Sequence, residues 1–406
     1  MTNIPNSKKR ALFHDLMGYA EHKNTLVVTG MRQVGKTTLL RQVFQALDHT
    51  SKIWFDLDNP LDQKVFEDIE YRNIYERLRQ MAGASGSKER LYVFIDEIQN
   101  FPEITKVIKY LMDHFDVKFF VTGSSNFYLK NLFPESLSGR KFVFVLDPLS
   151  FGEYLYFRDK MDFDGVSDII RKKQMDLEPK TMIDFKKYER EYEEYMRFGG
   201  FPEVVLTKDD ETKIRVLKNI FASFFEKDLK ILSHYTDIRE LRDLILLLVP
   251  RVGSTLDITK LSSELGVPRK KIYDYLEFLQ GTFFIRLLSK FSKSIDRSVA
   301  GGRKVYFSDT GLLRVIGNVN DGQLFENVIV NQVSHYGEMT FYSKRNTSEI
   351  DIILDKKIAF EVKLNGIKRD AEKVKQLAEG IGLKKSFVIS KGFKEEKDFL
   401  FGVFLF

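Results

Sequence analysis

A glycine-bounded loop at residues 30–38, Gly-Met-Arg-Gln-Val-Gly-Lys-Thr-Thr, constrains the fold of this chain more than any other feature. It follows the apolar run 25–29, which predicts a short buried strand, and precedes segment 39–44, which predicts the start of a helix. This order of strand, loop, Lys-Thr and helix is the context that a phosphate-binding loop requires. A chance match to the motif alone is far more common than a match in this setting.

The residue types of the loop indicate how it would bind a nucleotide. Gly30 and Gly35 allow successive backbone N–H groups to point at a phosphate chain, and the helix N-terminus adds partial positive charge. We expect Lys36 to reach the β- and γ-phosphates of ATP and Thr37 to offer its hydroxyl to Mg²⁺. The predicted nucleotide-binding residues are Gly30, Arg32, Gln33, Val34, Gly35, Lys36, Thr37 and Thr38.

A second apolar run, residues 91–95, ends in the adjacent carboxylates Asp96 and Glu97. Such a run is typical of a parallel strand covered on both faces, and its carboxyl end should meet the phosphate loop. We expect Asp96 to hold Mg²⁺, directly or through water, and Glu97 to polarise the water that attacks the γ-phosphate. The alternative is a strand that merely ends in solvated acids.

Two further positions are candidates for the catalytic machinery. The buried run 117–123 is followed by Ser125 and Asn126, either of which would sense the γ-phosphate unless the segment is a plain turn. Arg140 precedes another strand and is a candidate arginine finger, a guanidinium that is often supplied by a neighbouring subunit. Sequence alone does not separate this role from that of a surface arginine.

Composition limits the class of protein and its partners. The net charge of +6 and pI near 9.0 are compatible with a polyanionic partner such as DNA, and equally with a lysine-rich solvated surface. The absence of cysteine excludes disulfides and a thiol nucleophile and suits a reducing cytosol. We see no signal peptide and no apolar run near the ~20 residues of a membrane span, so we expect a cytoplasmic protein without a membrane partner.

The pattern along the chain changes three times. Alternating strands and helices predict a parallel sheet in residues 1–150, and helical periodicity dominates 151–235. Residues 236–300 contain a helix ending at Gly266 and a second helix that begins with Arg269, Lys270 and Lys271, a helix-turn-helix pattern with Phe283–Leu288 as the first strand of a wing. Such modules pack against protein partners about as often as they contact DNA.

Residues 301–406 predict a new α/β unit that carries a second group of charged residues. Asp351, Glu361 and Lys363 lie on adjacent strands, with a hairpin around residues 355–356, and Glu326 lies on a preceding helix. Two acids and a lysine in this arrangement can bind a divalent metal beside a scissile phosphate, with Glu326 completing the metal shell and Lys363 acting in catalysis. The alternative is a cross-strand ion pair on a half-solvated sheet.

The phosphate loop and the Asp96-Glu97 pair resemble the AAA+ class of P-loop ATPases. The stretches 122–125, 138–140, 148–154 and 199–202 narrow the resemblance to prokaryotic ATPases with a C-terminal domain of unknown function. Residues 304–312 match that domain, and Glu326, Asp351 and Glu361-Val362-Lys363 are similar to the PD-(D/E)XK nuclease core. The resemblance implies an AAA+ P-loop parallel sheet with a helical lid, a winged helix-turn-helix and a restriction-endonuclease-like α/β domain.

These features predict a cytosolic ATPase that binds DNA and couples Mg²⁺-dependent ATP hydrolysis to DNA translocation or remodelling, as a homo-oligomer such as a ring hexamer. One alternative is an ATP-gated, metal-dependent DNA nuclease. Another is a switch that binds a protein partner according to its nucleotide state.

Overall fold

The computed structural model describes residues 7–124, 139–227, 235–292, 302–344 and 348–406. Contacts divide the chain into two compact units, Met1–Asp147 with Gly281–Phe283 and Pro148–Gln280 with Phe284–Phe406. The expected domain divisions at 235/236 and 300/301 stay predictions. Within the described residues, we find no helix whose length and apolar character would allow it to cross a membrane.

The first unit is built on a five-stranded parallel sheet, as the alternating pattern predicts. The strand order across the sheet is β2-β3-β4-β1-β5. The strands are β1 (Thr25–Thr29), β2 (Lys52–Asp56), β3 (Leu91–Asp96), β4 (Val117–Gly123) and β5 (Lys141–Val145). The helices of this unit are α1 (Leu12–Gly18), α2 (Lys36–Ala46), α3 (Pro60–Lys64), α4 (Tyr71–Met81) and α5 (Ile104–His114).

The three central strands explain the continuous apolar runs in the sequence. Every residue of β1, β3 and β4 is buried, because helices cover both faces of a parallel sheet. The edge strand β5 is more exposed, and Val143 and Val145 are each 44% accessible. The register pairs Thr29 of β1 with Gly123 of β4, so the carboxyl ends of the central strands lie at one edge of the sheet. This edge is where parallel α/β sheets bind ligands.

The second unit begins with a helical region, which confirms the helical periodicity expected for residues 151–235. Its helices are α6 (Phe151–Phe157), α7 (Phe163–Lys172), α8 (Met182–Phe198), α9 (Pro202–Leu206), α10 (Asp210–Lys227), α11 (Tyr235–Leu248), α12 (Ile258–Leu265) and α13 (Arg269–Gly281). Helix α7 is charged along its sequence but has a buried side. Its N-cap, Asp162, accepts a hydrogen bond from Gly165 N, and Val166 on its inner face is buried.

A seven-stranded mixed sheet completes the second unit, in the order β12-β11-β10-β9-β8-β6-β7. Its strands are β6 (Ile285–Lys290), β7 (Arg303–Phe307), β8 (Met339–Lys344), β9 (Ser348–Leu354), β10 (Ile358–Lys363), β11 (Lys385–Ser390) and β12 (Phe399–Phe401). Helices α14 (Thr310–Ile316), α15 (Asp321–Val333) and α16 (Lys368–Gly380) belong to the same region.

Two features of this sheet bear on the sequence predictions. The hairpin between β9 and β10 is confirmed: Leu354 pairs with Ile358, and Asp355 and Lys356, in the turn between them, have positive φ values of 50° and 57°. Strand β6, expected to form a wing, pairs antiparallel with β7 and also parallel with β8. It is therefore continuous with the sheet that carries Asp351 and Glu361.

Candidate functional site

The loop between β1 and α2 has the backbone conformation that a phosphate-binding loop needs. Gly35 is left-handed, with φ 97°, and precedes the first residue of α2, while Gln33 has φ 63°. Gly30 has φ 150°, and a Cβ atom there would lie 2.1 Å from the carbonyl oxygen of Leu146. Only glycine fits at residue 30, because the backbone after β5 passes directly beside it. Val34 is buried and Gln33 is exposed at the turn of the loop.

Lys36 is folded back onto the loop that it would use to bind phosphate. Its Nζ donates hydrogen bonds to the carbonyl oxygens of Gly30, at 3.0 Å, and Met31, at 2.8 Å. The side chain is only 5% exposed, so the ammonium is held within the loop before any anion arrives. Thr37 and Thr38 follow on the first turn of α2 and are partly buried.

A second cation, Arg10, holds the outer side of the same loop. Its guanidinium donates to the carbonyl oxygen of Val34 at 2.7 Å and to that of Asp147 at 2.8 Å, and the residue is 5% exposed. Arg10 thus ties the phosphate loop to the segment after β5. Sequence reasoning missed this residue, because it lies 24 positions from Val34 and no local pattern marks it.

Asp96 lies at the carboxyl end of β3, as the sequence predicts, and is 3% exposed. Its carboxylate accepts a hydrogen bond from the Thr122 hydroxyl and another from the Thr37 hydroxyl. Burial raises the pKa of Asp96, the two threonine hydrogen bonds oppose the rise, and the negative charges of Glu97 and Asp56 add to it. The contact with Thr37 brings the two expected Mg²⁺ ligands together.

Glu97 adopts a left-handed conformation, with φ 54° and ψ 49°, directly after the strand. This turns its backbone N–H towards the Thr122 hydroxyl, at 3.1 Å, so one threonine contacts both acidic residues. The Glu97 carboxylate accepts a hydrogen bond from the side-chain amide of Gln99. The Gln99 carbonyl in turn accepts from the backbone N–H of Ser124, at 3.4 Å. Gln99 therefore connects the expected catalytic base to the end of β4.

Two buried hydroxyls at this edge have no hydrogen-bond partner among the residues that the structure describes. They are Thr29 Oγ1, at the end of β1, and Ser124 Oγ, directly after β4. A buried hydroxyl without a partner is costly unless a ligand satisfies it. Together with Thr37 and Asp96 they form a set of hard oxygen donors, the type that Mg²⁺ and its water ligands prefer. These residues fit the expected cofactor.

The remaining catalytic candidates of the first unit are less directly placed. Asn126 and Ser125 lie outside the described residues. Arg140 precedes β5, and its carbonyl oxygen accepts a hydrogen bond from Thr25 N at 2.9 Å. It therefore lies at the amino ends of the strands, whereas the phosphate loop lies at their carboxyl ends. Its guanidinium pairs with Asp113 at 3.0 Å. An arginine at this edge would act on a neighbouring subunit's site, and that role stays a prediction.

The helix-turn-helix segment presents fewer cations than its sequence suggests. Arg269 and Lys270 are exposed on the first turn of α13. Lys271 instead forms ion pairs with Asp237 at 2.7 Å and Glu240 at 2.5 Å, both on α11. Two of the three basic residues are therefore available to a polyanion.

The C-terminal acids pair with lysines of the chain itself, and their role as a metal shell stays a prediction. Within the described part of the chain, no three His, Cys, Asp or Glu side chains are grouped so that they could hold a metal ion. Glu361 pairs with Lys363 at 2.7 Å, whereas Glu326 and Asp351 each lie 3.5 Å from the ammonium of Lys304. Lys304 was not a sequence candidate, although a lysine inside the apolar strand 303–307 is a signal that could have identified it.

Family models match three parts of the chain. An AAA domain matches residues 22–155, which contain the phosphate loop and the Asp96-Glu97 pair on a parallel sheet. This region is therefore similar to AAA-type P-loop domains. Two domains of unknown function, DUF8612 and DUF4143, match residues 189–323 and 321–400. The expected AAA+ resemblance is confirmed for the first unit, and the nuclease-like character of the C-terminal region stays a proposal.

Relatives of similar length extend the likeness beyond the AAA domain. The uncharacterized protein MJ1544 of Methanocaldococcus jannaschii is 28% identical over 81% of this chain and 71% of its own length. An uncharacterized protein of Haemophilus influenzae is 28% identical over 84% of this chain and 83% of its own length. A solved Walker-type ATPase of Pyrococcus abyssi covers 75% of this chain and 94% of its own, with 16% identity and a TM-score of 0.47.

Proposed function

We propose that the AAA domain binds ATP with Mg²⁺ and hydrolyses it. The observation that carries this proposal is the convergence at one sheet edge of the buried ammonium of Lys36, the Thr37–Asp96 hydrogen bond and the Glu97 carboxylate. Cation, metal ligands and general base are the parts that phosphoryl transfer to water requires. No other group of described residues combines them.

The proposed roles follow from the geometry of each side chain. Lys36 exchanges the carbonyl oxygens of Gly30 and Met31 for phosphate oxygens, because a charged acceptor binds an ammonium more strongly than a neutral one. Thr37 and Asp96 hold Mg²⁺, which when bound neutralises charge on the β- and γ-phosphates. Glu97, released from Gln99, orients and deprotonates the attacking water. Arg140 acts across a subunit boundary in a homo-oligomer, for which a ring hexamer is the expected form.

We further propose that the chain is cytoplasmic and uses this cycle on DNA, by translocation or remodelling. The net charge of +6 and the exposed Arg269 and Lys270 on the first turn of α13 support this partner. Beyond that turn the exposed face of α13 carries Asp274 and Glu277. This limits the contact to phosphates near the helix N-terminus, since acids further along the helix would repel the DNA backbone.

The same two acids favour one competing function, a nucleotide-dependent switch that binds a protein partner. A helix with cations at its first turn and acids on its later turns is as suited to a protein surface as to DNA. The two functions differ in one measurable property, because a protein-binding switch does not hydrolyse ATP faster when DNA is added.

The test is the rate of ATP hydrolysis with no DNA and with single-stranded, double-stranded and branched DNA, at stated salt concentrations. We expect stimulation that weakens as salt rises, because phosphate contacts release counterions. The double substitution Arg269→Glu with Lys270→Glu should remove the stimulation and leave the basal rate unchanged. Lys375→Glu, an exposed lysine on α16, is the matched control.

Two results would refute the proposal at different levels. A Lys36→Ala protein that hydrolyses ATP like the parent would show that the site is wrongly assigned. An active ATPase that no DNA stimulates would remove the DNA function and favour the protein-binding switch.

A further inference from the structure

Lys304 is the most deeply buried cation of the C-terminal sheet and lies among carboxylates. The side chain, on β7, is 2% exposed. Its Nζ is 3.5 Å from a carboxylate oxygen of Glu326, on α15, and 3.5 Å from one of Asp351, on β9. It also contacts the carboxylate of Glu349, two residues before Asp351. Two of these three acids are the residues that the nuclease-like pattern assigns to a metal ion.

Two of these acids also accept hydrogen bonds from other protein donors. The Tyr306 hydroxyl donates at 2.7 Å to the same oxygen of Glu326 that faces Lys304, and the backbone N–H of Val362 donates to the second oxygen of Asp351 at 2.9 Å. The third expected ligand, Glu361, pairs with Lys363 at 2.7 Å. Each expected ligand is therefore engaged by the chain itself.

Backbone packing restricts access to the same place. Gly253 is left-handed, with φ 76°, and a Cβ atom there would lie 2.9 Å from a carboxylate oxygen of Glu326. The N–H of Gly253 bonds to the carbonyl oxygen of Val305 at 3.1 Å, beside Lys304. The close approach of this backbone narrows the space on one side of the Glu326 carboxylate, where a metal ion such as Mg²⁺ would keep water ligands.

The balance of charge agrees with this geometry. Burial alone would lower the pKa of Lys304, but Glu326, Asp351 and Glu349 outweigh it, so the pKa lies above its usual value and the side chain is charged. Burial and the charge of Asp351 raise the pKa of both Glu326 and Glu361 to about 7.

We propose that Lys304 is the resident cation of this cluster, and that the C-terminal domain neither takes up a divalent metal there nor cuts DNA. The ammonium occupies the position that a metal would need between Glu326 and Asp351. The cluster is then an internal ion network that joins β7, α15 and β9. This inference concerns only the second unit and does not depend on ATP hydrolysis in the first.

The experiment is a titration of the full chain with Mn²⁺ in the absence of nucleotide, followed by electron paramagnetic resonance. Wild type is compared with Asp351→Asn, so that Mn²⁺ bound elsewhere cancels. Lys304→Met removes the ammonium while keeping an apolar stem of similar length, and Lys304→Met with Asp351→Asn is its control. Lys357→Met removes an exposed lysine in the turn before β10 and serves as the matched surface variant.

We expect wild type and Asp351→Asn to bind Mn²⁺ equally. Lys304→Met should gain a Mn²⁺ site, because the repelling charge of the ammonium has gone, with an affinity at least about tenfold higher than wild type shows at this cluster. The gained site should disappear in the double variant. If Lys304→Met folds poorly, the same proposal predicts that Mn²⁺ raises its melting temperature and leaves that of wild type unchanged.

Three results would overturn the proposal. The first is Mn²⁺ binding by wild type that Asp351→Asn removes. The second is nicking of supercoiled DNA by wild type that Asp351→Asn or Lys363→Ala abolishes. The third is a Lys304→Met protein that neither gains Mn²⁺ binding nor rises in melting temperature when Mn²⁺ is added, since the ammonium would then not occupy a metal site.

Discussion

The hydrogen bonds from Arg10 to the phosphate loop and to the segment after β5 give the most specific prediction for the AAA domain. Arg10→Ala removes two hydrogen bonds from a cation to buried carbonyl oxygens, those of Val34 at 2.7 Å and Asp147 at 2.8 Å. The phosphate loop is left with fewer restraints, although Gly30 and Gly35 are unchanged. We expect weaker nucleotide binding from a residue that is not itself part of the loop.

The magnitude follows from the bonds lost. A hydrogen bond to a charged group contributes about 1.5–3 kcal/mol, and the two here share one guanidinium, so the total is about 3 kcal/mol rather than their sum. Fixing one freed residue of backbone on binding costs about 1–2 kcal/mol. If the loop around Val34 is ordered only when nucleotide binds, the affinity for nucleotide falls by roughly 30-fold, which corresponds to about 2 kcal/mol. The rest of the loss should be seen in the melting temperature.

The assay is binding of a fluorescent ADP analogue, read beside thermal unfolding of the same samples. Arg10→Lys keeps the charge but cannot span both carbonyl oxygens, so its affinity should lie between those of wild type and Arg10→Ala. Lys9→Ala changes an exposed neighbouring cation and is the control. An Arg10→Ala protein with wild-type affinity and wild-type melting would refute the view that this residue organises the loop.

Three further predictions concern single side chains. Glu97→Gln should reduce hydrolysis by about 10²–10⁴-fold while ATP still binds, and a measurable loss of ATP affinity instead would indicate a structural role. Gln99→Leu should raise the basal rate of hydrolysis by about fivefold, because Glu97 no longer has to leave the Gln99 amide. Fivefold corresponds to the loss of one hydrogen bond of about 1 kcal/mol. An unchanged rate would mean that this contact does not restrain Glu97. Burial raises the pKa of Asp309 from 3.8 to about 6. Between these two values the folded state binds more protons than the unfolded state. The stability that the protonated carboxyl contributes below pH 4 is therefore lost as the pH rises through 6. Urea unfolding between pH 4 and 7 should show a fall of about 2–3 kcal/mol that Asp309→Asn lacks, and parallel curves for the two proteins would contradict the pKa shift.

The parts of the AAA domain that the sequence predicts well are those whose chemistry is local. The strand before Gly30, the helix after Lys36 and the buried strand that ends at Asp96 each have a pattern within ten residues. Arg10 and Gln99 have no such pattern, since their function depends on where the backbone of a distant segment passes. The threonine that joins Asp96 and Glu97 is visible only when β3 and β4 are known to be adjacent.

The C-terminal sheet shows the complementary limit. The hairpin of β9 and β10 and its turn at Asp355 are predicted from the sequence because hairpin signals and alternation are local. The spacing of Asp351, Glu361 and Lys363 indicates which residues share a face, but not which cation lies between them. Lys304 lies on another strand, β7. The spacing of the acidic residues in the sequence therefore does not reveal that its ammonium lies between Glu326 and Asp351.

The resting arrangement of the AAA site suggests how nucleotide binding is linked to catalysis. Lys36 and Glu97 are both satisfied within the chain, one by loop carbonyls and the other by Gln99, so neither is an unpaired buried charge while no nucleotide is bound. Binding must therefore exchange partners rather than fill vacancies. For Lys36 the exchange is favourable, because phosphate is a charged acceptor. For Glu97 it is not automatic, since its release depends on Gln99, whose carbonyl accepts from Ser124 N beside an unpaired buried hydroxyl. A γ-phosphate that engaged the Ser124 hydroxyl would disturb the neighbouring hydrogen bond from Ser124 N to the Gln99 carbonyl, and Glu97 would then be freed when a triphosphate is present.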